Sequence, residues 1–369
     1  MKKLLLISAC LFFATINFAQ EHLKPGFDPD EYADVLSLAF FKSSIPDSTE
    51  RMQKKDPYKL IFQSEETGLH NLWRLYLRND GVAVIDVRGT VQKTPSWLEN
   101  FYAATIPATG SLILNDSTTF NYQLSADPKA MVHTGWTIGL CHLAPSIVEK
   151  INALYKEQQV KEFILSGHSQ GAAITFLLRS YLHYTQQKGF IPADVQFKTY
   201  CSAAPKPGNL FYAYDYDFIT RGGWGLTVVN AADWVPETPF SVQTFTDFNK
   251  TNPTITARAT LKKQKFLIRL AGNTVVNSME RSTRKADKKL KKYLGKTIYK
   301  QVKKSLPQLK QPAYSKGMNY MRAGTPVILM PDESYYQLFP DKKETLFIHH
   351  MFQPYYYLLK KWYKLKSSN

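Results

Sequence analysis

Residues 166–172 read Ser-Gly-His-Ser-Gln-Gly-Ala, so Ser169 has a glycine two positions away on each side, at Gly167 and Gly171. An apolar run precedes this segment and a helical pattern follows it, the context that a nucleophile on a sharp strand-to-helix turn requires. Such a turn brings the flanking backbones close together, and residues without side chains leave the room. Ser169, with His168 before it, is then exposed at a helix start. There the backbone N–H of Gln170 and the positive end of the helix point toward any oxyanion that develops. The chemistry this pattern serves is attack of a serine hydroxyl on an acyl carbon.

A serine so used needs a histidine as base and a carboxylate to hold the histidine. Residues 227–236 read Thr-Val-Val-Asn-Ala-Ala-Asp-Trp-Val-Pro, which puts Asp233 just past a strand-like run, with Glu237 a nearby competitor. In serine hydrolases of the α/β class the order along the chain is serine, acid, histidine. Only His349 and His350 follow Asp233. Neighbouring residues point in different directions, so one of the pair can serve Ser169. His350 is chosen, with His349 the alternative. The earlier histidines (His22, His70, His133, His142, His168 and His183) read as structural or as pocket wall.

The elements that must position these residues alternate. Residues 72–77 and 82–87 are strand-like and joined by Asn79-Asp80-Gly81, a hairpin signal. A long helix is expected over 134–156 with a Ser/Thr-type start, a buried strand over 160–165, and a helix over 172–184 ending toward Gly189. Further short strands are expected at 195–201 and 226–229. Strand and helix in alternation imply an α/β fold, a mostly parallel sheet with helices on both faces.

Four blocks in order resemble the class-3 lipase family, the α/β-hydrolase group that includes the fungal triacylglycerol lipases. Val84-Ile85-Asp86-Val87-Arg88-Gly89-Thr90, followed by Trp97-Leu98, is similar to the family's strand and oxyanion loop. Val132-His133-Thr134-Gly135-Trp136 resembles its Val-His-x-Gly-Phe helix start, and Gly167 to Gly171 its nucleophile elbow. Ala204-Pro205-Lys206-Pro207-Gly208-Asn209 and Asn230-x-x-Asp233-x-Val235-Pro236 resemble its post-strand loops. Together the blocks span about residues 72–239. The resemblance implies an α/β-hydrolase fold, Ser169 as nucleophile, Asp233 as acid, and Thr90 with Gln170 as oxyanion donors. Thr90 would act through both its N–H and its hydroxyl. The C-terminal block departs from the family: Ile348-His349-His350-Met351 lacks the Asp that usually precedes a single His.

The chain has 369 residues and a formal net charge of +17. Read as one number, that charge suggests nucleic acid or an anionic membrane. Residues 251–320, however, hold 18 lysines and arginines against two acids, Glu280 and Asp287, which leaves the rest of the chain close to neutral. Leu290, Leu294, Ile298 and Val302 recur at helical spacing there, so part of the stretch reads as an amphipathic helix with a basic face. It is either a solvated face or a peripheral contact with an anionic membrane. No nucleic-acid-binding motif accompanies it. Residues 1–19 combine Lys2 and Lys3 with an apolar run and Asn17-Phe18-Ala19, which reads as a secretory signal peptide. Ile7-Ser8-Ala9-Cys10 is a lipidation-type alternative. Beyond it remain Cys141 and Cys201, either one disulfide or two buried thiols.

The expectation is a signal peptide at 1–19 and one α/β-hydrolase domain over 20–369, with a basic, largely helical insertion at about 241–340. Its activity would be that of a secreted or periplasmic serine ester hydrolase acting on a lipid ester, requiring no metal and no cofactor, with nucleic acid not a partner. A phospholipase or general carboxylesterase is the close alternative, and an amide-directed serine hydrolase another. The rival of a different class is a catalytically silent envelope- or membrane-binding protein that works through the basic insertion.

Overall fold

The computed structural model describes residues 22–40 and 57–366; the signal peptide expected at 1–19 and the lipidation reading at Cys10 lie outside the described residues. Seven strands form the central sheet: β1 (Tyr58–Gln63), β2 (Trp73–Arg78), β3 (Ala83–Val87), β4 (Glu162–His168), β5 (Gln196–Ser202), β6 (Gly225–Asn230) and β7 (Thr325–Leu329). Their order across the sheet is their order along the chain. The first three pair antiparallel, and β3 to β7 pair parallel. This is the mostly parallel sheet of an α/β fold, as the alternation of strands and helices implied.

A sheet whose parallel strands advance in one direction through right-handed crossovers must put all its crossover helices on one face. Helix α1 (Pro29–Phe40) precedes the sheet, whereas α2 (Thr94–Phe101), α3 (Thr134–Gln158), α4 (Gln170–Gln187) and α5 (Leu210–Ile219) lie within the crossovers. Alternate residues of each strand serve the two faces. Ala83, Ile85, Val87, Phe163 and Leu165 join one core with residues of α3, α4 and α5. Val82, Val84, Ile164, Tyr200 and Val228 join a second core on the far face. Burial on both faces accounts for the apolar runs at residues 82–85 and 163–165, and each large side chain so buried contributes about 1.5–3 kcal/mol.

Residues 253–305 supply three further helices: α6 (Pro253–Lys262), α7 (Phe266–Lys291) and, after one π-helical turn at Lys292–Thr297, α8 (Ile298–Ser305). Helices α9 (Glu333–Leu338) and α10 (Phe352–Trp362) end the chain. The second core is closed by α1 and α10, the two ends of the described chain, through Tyr32, Leu36, Tyr355 and Leu359.

The hairpin expected at Asn79-Asp80-Gly81 is present. Gly81 has φ +93°, its N–H bonds to the Arg78 carbonyl at 2.9 Å, and the Arg78 N–H bonds to Val82 at 2.8 Å. Two expectations need correction. Helix α3 begins without a Ser/Thr cap: His133 is the N-cap, its ring nitrogen accepting from the Trp136 N–H at 3.3 Å. Thr134 instead donates its hydroxyl to the Ala104 carbonyl at 2.6 Å. The basic region is also narrower than 241–340. Thr325–Leu329 pairs with β6 residue by residue and belongs to the sheet. Pro326 makes that run a poor strand candidate on sequence grounds, and it is tolerated because β7 is an edge. Leu290, Leu294 and Ile298 are half-buried and Val302 fully buried, so the regular spacing marks the side that packs on the body. Cys141 and Cys201 are buried and unpaired.

Candidate active site

Strand β4 ends at His168 and helix α4 starts at Gln170, leaving Ser169 alone in the turn. Its backbone sits at φ 60°, ψ −128°, a region L-residues adopt at a cost of about 1–3 kcal/mol when surroundings enforce it. The glycines account for the enforcement. A Cβ on Gly167 would lie 2.5 Å from the Gly171 carbonyl carbon, and one on Gly171 would lie 2.0 Å from the Val87 carbonyl oxygen. Strand β3, the turn and the first turn of α4 are thus pressed together. The Ser169 side chain makes no capping bond and is partly exposed, which leaves its hydroxyl available. The Gln170 amide, in the first turn of α4, has no acceptor within the helix.

The loop after β3 is brought to the same turn. A Cβ on Gly89 would stand 2.9 Å from the His168 carbonyl oxygen, and Arg88 anchors the loop by donating to Glu66 at 2.7 Å and to the His70 carbonyl at 2.8 Å. Thr90 follows. Its hydroxyl oxygen accepts from the Asn100 side-chain amide at 3.0 Å, so its own proton remains free to donate. Asn100 had no signal in the sequence beyond its place on α2, yet it joins several groups. Its Oδ1 accepts from Gln170 Nε2 at 3.0 Å and from Trp136 Nε1 at 3.0 Å. The buried Gln170 side chain also donates to the Ser96 carbonyl at 2.9 Å. Helix α2 is thereby stitched to the start of α4. His133, neutral because burial pushes its pKa down to about 3, donates from Nε2 to the Asn100 carbonyl at 3.1 Å.

Helix α2 also carries a buried acid. Glu99 is fully enclosed, with the Asn71 side-chain amide donating to its two oxygens at 3.0 and 2.8 Å. Gly139 makes the space, since a Cβ there would lie 2.2 Å from Glu99 Oε1. Burial raises the Glu99 pKa from its ordinary 4.5 to about 8. A raised folded-state value means stability that is full below about pH 4.5 and is lost as pH rises through about 8. The wild-type melting temperature is therefore expected to fall between about pH 5 and pH 9, and the Glu99→Gln profile to be flatter. Parallel melting profiles would show that Glu99 ionises without burial strain.

Asp233 lies three residues past β6, buried, and its carboxylate has three donors. His350 Nδ1 is 2.7 Å from Oδ2, the Tyr355 hydroxyl donates to Oδ2 at 2.8 Å, and the Val235 N–H donates to Oδ1 at 3.0 Å. Burial and the adjoining carboxylate hold the Tyr355 pKa well above its usual value, so it stays a donor. Glu237, the competing acid, lies in the one-turn 3₁₀ helix that follows Asp233.

His349 points elsewhere. Its ring nitrogens meet the Tyr335 hydroxyl at 2.7 Å and Asp341 at 2.9 Å, and its carbonyl accepts from the Asn230 side chain at 2.9 Å. Asn230 also donates to the Tyr335 oxygen at 2.8 Å and accepts from the Ala232 N–H at 3.1 Å. One asparagine thus fixes both the loop bearing Asp233 and the segment bearing the two histidines. His168 fixes the second of these again. Its Nε2 is 2.7 Å from the His350 carbonyl. A carbonyl only accepts, so Nε2 carries the proton and Nδ1 accepts from the Ser202 hydroxyl at 3.0 Å. Ser202 in turn accepts from Tyr32 of α1 at 2.7 Å. Burial, with His350 close by, drives the His168 pKa well below its ordinary value, keeping the ring neutral.

Around this arrangement lies an aromatic rim. The Phe347 ring is 5.8 Å from His350, 5.9 Å from Trp97 and 5.3 Å from Trp234. Trp97, Phe101, Trp234 and Leu346 are exposed. A contiguous exposed apolar patch marks a surface that meets something apolar.

Residues 84–243 match the model of the family described as Lipase (class 3). No curated protein matches the sequence. Among solved structures, the chain is similar to the Rhizomucor miehei lipase propeptide complex, at 17% identity over 58% of this chain and 65% of that one, with a TM-score of 0.42. It is also similar to a triacylglycerol lipase from Penicillium expansum, at 16% identity over 58% of this chain and 74% of that one, with a TM-score of 0.39. A lipase from Rhizopus microsporus var. chinensis aligns at 18% identity over 57% and 68%, with a TM-score of 0.39. The chain thus spans just under two thirds of the length of the Rhizomucor miehei propeptide complex chain.

Proposed function

We propose that this chain, which carries the class-3 lipase pattern over residues 84–243, is an exported serine ester hydrolase that cleaves lipid carboxylic esters. The observation that carries the reading is the buried pair of Asp233 and His350, 2.7 Å apart, held at the same end of the sheet as the strained turn of Ser169. With Nδ1 committed to Asp233, His350 presents Nε2 as its remaining base. Ser169 attacks the ester carbonyl and His350 takes the hydroxyl proton. The negative charge that develops on the carbonyl oxygen is met by the Gln170 N–H and by the N–H and hydroxyl of Thr90. His350 then protonates the leaving alcohol, leaving an acyl group on Ser169. Water, deprotonated by His350, attacks that acyl-enzyme and releases the carboxylic acid and the free serine.

The aromatic rim supports a lipid as the acyl donor, since it adjoins His350 and supplies an apolar surface for the chain. Export is supported by the composition of residues 1–19. The cationic residues of α7 favour a second reading, in which the ester belongs to an anionic phospholipid. Release of fatty acid from soluble short-chain esters, emulsified acylglycerols and phosphatidylglycerol tests both. Acylglycerol turnover above that of the short esters is the expected result. Preferred release from phosphatidylglycerol would select the second reading, and no release from any ester would eliminate both.

A further inference from the structure

Both acids of the basic stretch are already engaged. Glu280 pairs with Arg258 and Arg284, and Asp287 with Lys291 at 2.7 Å. Arg281, Arg284, Lys285, Lys288, Lys289 and Lys292 line one groove along α7 and are all exposed. At the other end of the same helix, where α6 turns into α7, Phe266, Leu267, Ile268 and Leu270 are 65, 75, 53 and 55% exposed. At about 3.6 residues per turn, Phe266, Leu267 and Leu270 fall on the side of α7 that carries the cationic row. The apolar residues are therefore not a core face. They form the tip of an arm whose flank is cationic.

The arm is a defined element. Gly272 lets α6 and α7 pack closely, because a Cβ there would lie 2.4 Å from the Leu261 side chain. Its base is anchored: the Ala104 N–H bonds to the Leu294 carbonyl at 3.1 Å, Gly295 sits against Ala104 and Tyr314, and Val302 is fully buried. From Phe266 to Leu294 the helical rise amounts to about 40 Å. No helix of the described residues is long and apolar enough to cross a membrane.

We propose that the α6–α7 arm docks on an anionic lipid surface, its apolar tip entering the acyl boundary and its cationic row meeting headgroup phosphates. The combination selects this occupant. A polyanion such as nucleic acid matches the row but gives Phe266, Leu267 and Leu270 nothing to bury against. A second copy of the chain would set one cationic row against another. A negatively charged bilayer satisfies both halves at once, as interfacial basic helices do.

Co-flotation of the full-length protein with vesicles of ether-linked phosphatidylglycerol or ether-linked phosphatidylcholine tests the docking. Ether lipids carry no ester, so the result is independent of any hydrolysis by Ser169. Binding to the anionic vesicles alone is expected, weakening as salt is raised. The triple variants Phe266→Ser/Leu267→Ser/Leu270→Ser and Arg281→Ser/Lys285→Ser/Lys288→Ser should each lose about tenfold or more in partition. All six residues are exposed, and unchanged circular dichroism verifies the folded state. Leu267→Trp, which removes nothing from the core, should show a blue shift in emission with anionic vesicles. Equal partition onto both lipids, wild-type binding by both triple variants, an unshifted Leu267→Trp emission, or displacement of the vesicles by duplex DNA at matched salt would each overturn the proposal.

Discussion

In Ser169→Ala, ester hydrolysis is expected to fall by roughly 10⁴- to 10⁶-fold while the protein stays folded. The separation of the two effects follows from the turn. The Ser169 hydroxyl makes no capping bond, so its removal deprives the fold of no hydrogen bond. The positive φ is held by the close packing of β3, the turn and α4 that Gly167 and Gly171 allow, and it stays with Ala. Ser169→Gly should lose activity equally and relieve part of the backbone strain, about 1–3 kcal/mol in all, offset by glycine's greater freedom in the unfolded chain. Chain-length series of esters and thermal melts on the three proteins read both quantities. Retained turnover in Ser169→Ala would remove the serine from the chemistry whatever the substrate.

The second large effect divides two neighbours. His350→Ala should lower turnover by roughly 10³-fold or more, and combining it with Ser169→Ala should add little, as groups that act as a unit behave. It also strips Asp233 of one of its three donors. His349→Ala should leave turnover of the folded enzyme within about tenfold and lower stability by about 1–3 kcal/mol, the penalty of leaving a buried partner unmatched. That partner is the Tyr335 hydroxyl, whereas Asp341 is exposed and is taken up by water. The bond from the Asn230 side-chain amide to the His349 carbonyl survives, so His350 keeps its place. Equal losses of turnover in the two variants, both folded, would refute the division.

Much of the scaffold was legible before any coordinates. The runs that became β2 to β6 announce themselves by their enrichment in apolar, β-branched and aromatic residues, even where a buried Arg74 or Lys198 interrupts them. The hairpin at Asn79-Asp80-Gly81 is a matter of a few bonds. Less legible was β7, where Pro326 argues against a strand and only its edge position admits one. Strand β1 and helices α1 and α10 were likewise not foreseen. The role of the two helices, covering the face that right-handed crossovers leave open, exists only once the sheet order is known, and β1 is an edge strand added beside β2. The basic stretch misled in its extent, since its charge obscured the strand that follows it.

The elbow at Ser169 is what the sequence by itself determined. The glycine spacing within seven residues marks it, although the packing that demands Gly171 comes from Val87 of β3. Which of His349 and His350 faces Asp233 was decided by the tertiary structure. Adjacent side chains diverge, and their partners come from the loop after β6, from α9 and from the segment between α9 and α10, more than a hundred residues distant for Asp233. Asn100 on Thr90, Tyr355 on Asp233, and the relay from Tyr32 through Ser202 to His168 are of the same kind. So is the arm: spacing foretold a helix with a basic side, but which apolar residues stay uncovered depends on what the rest of the chain packs against them.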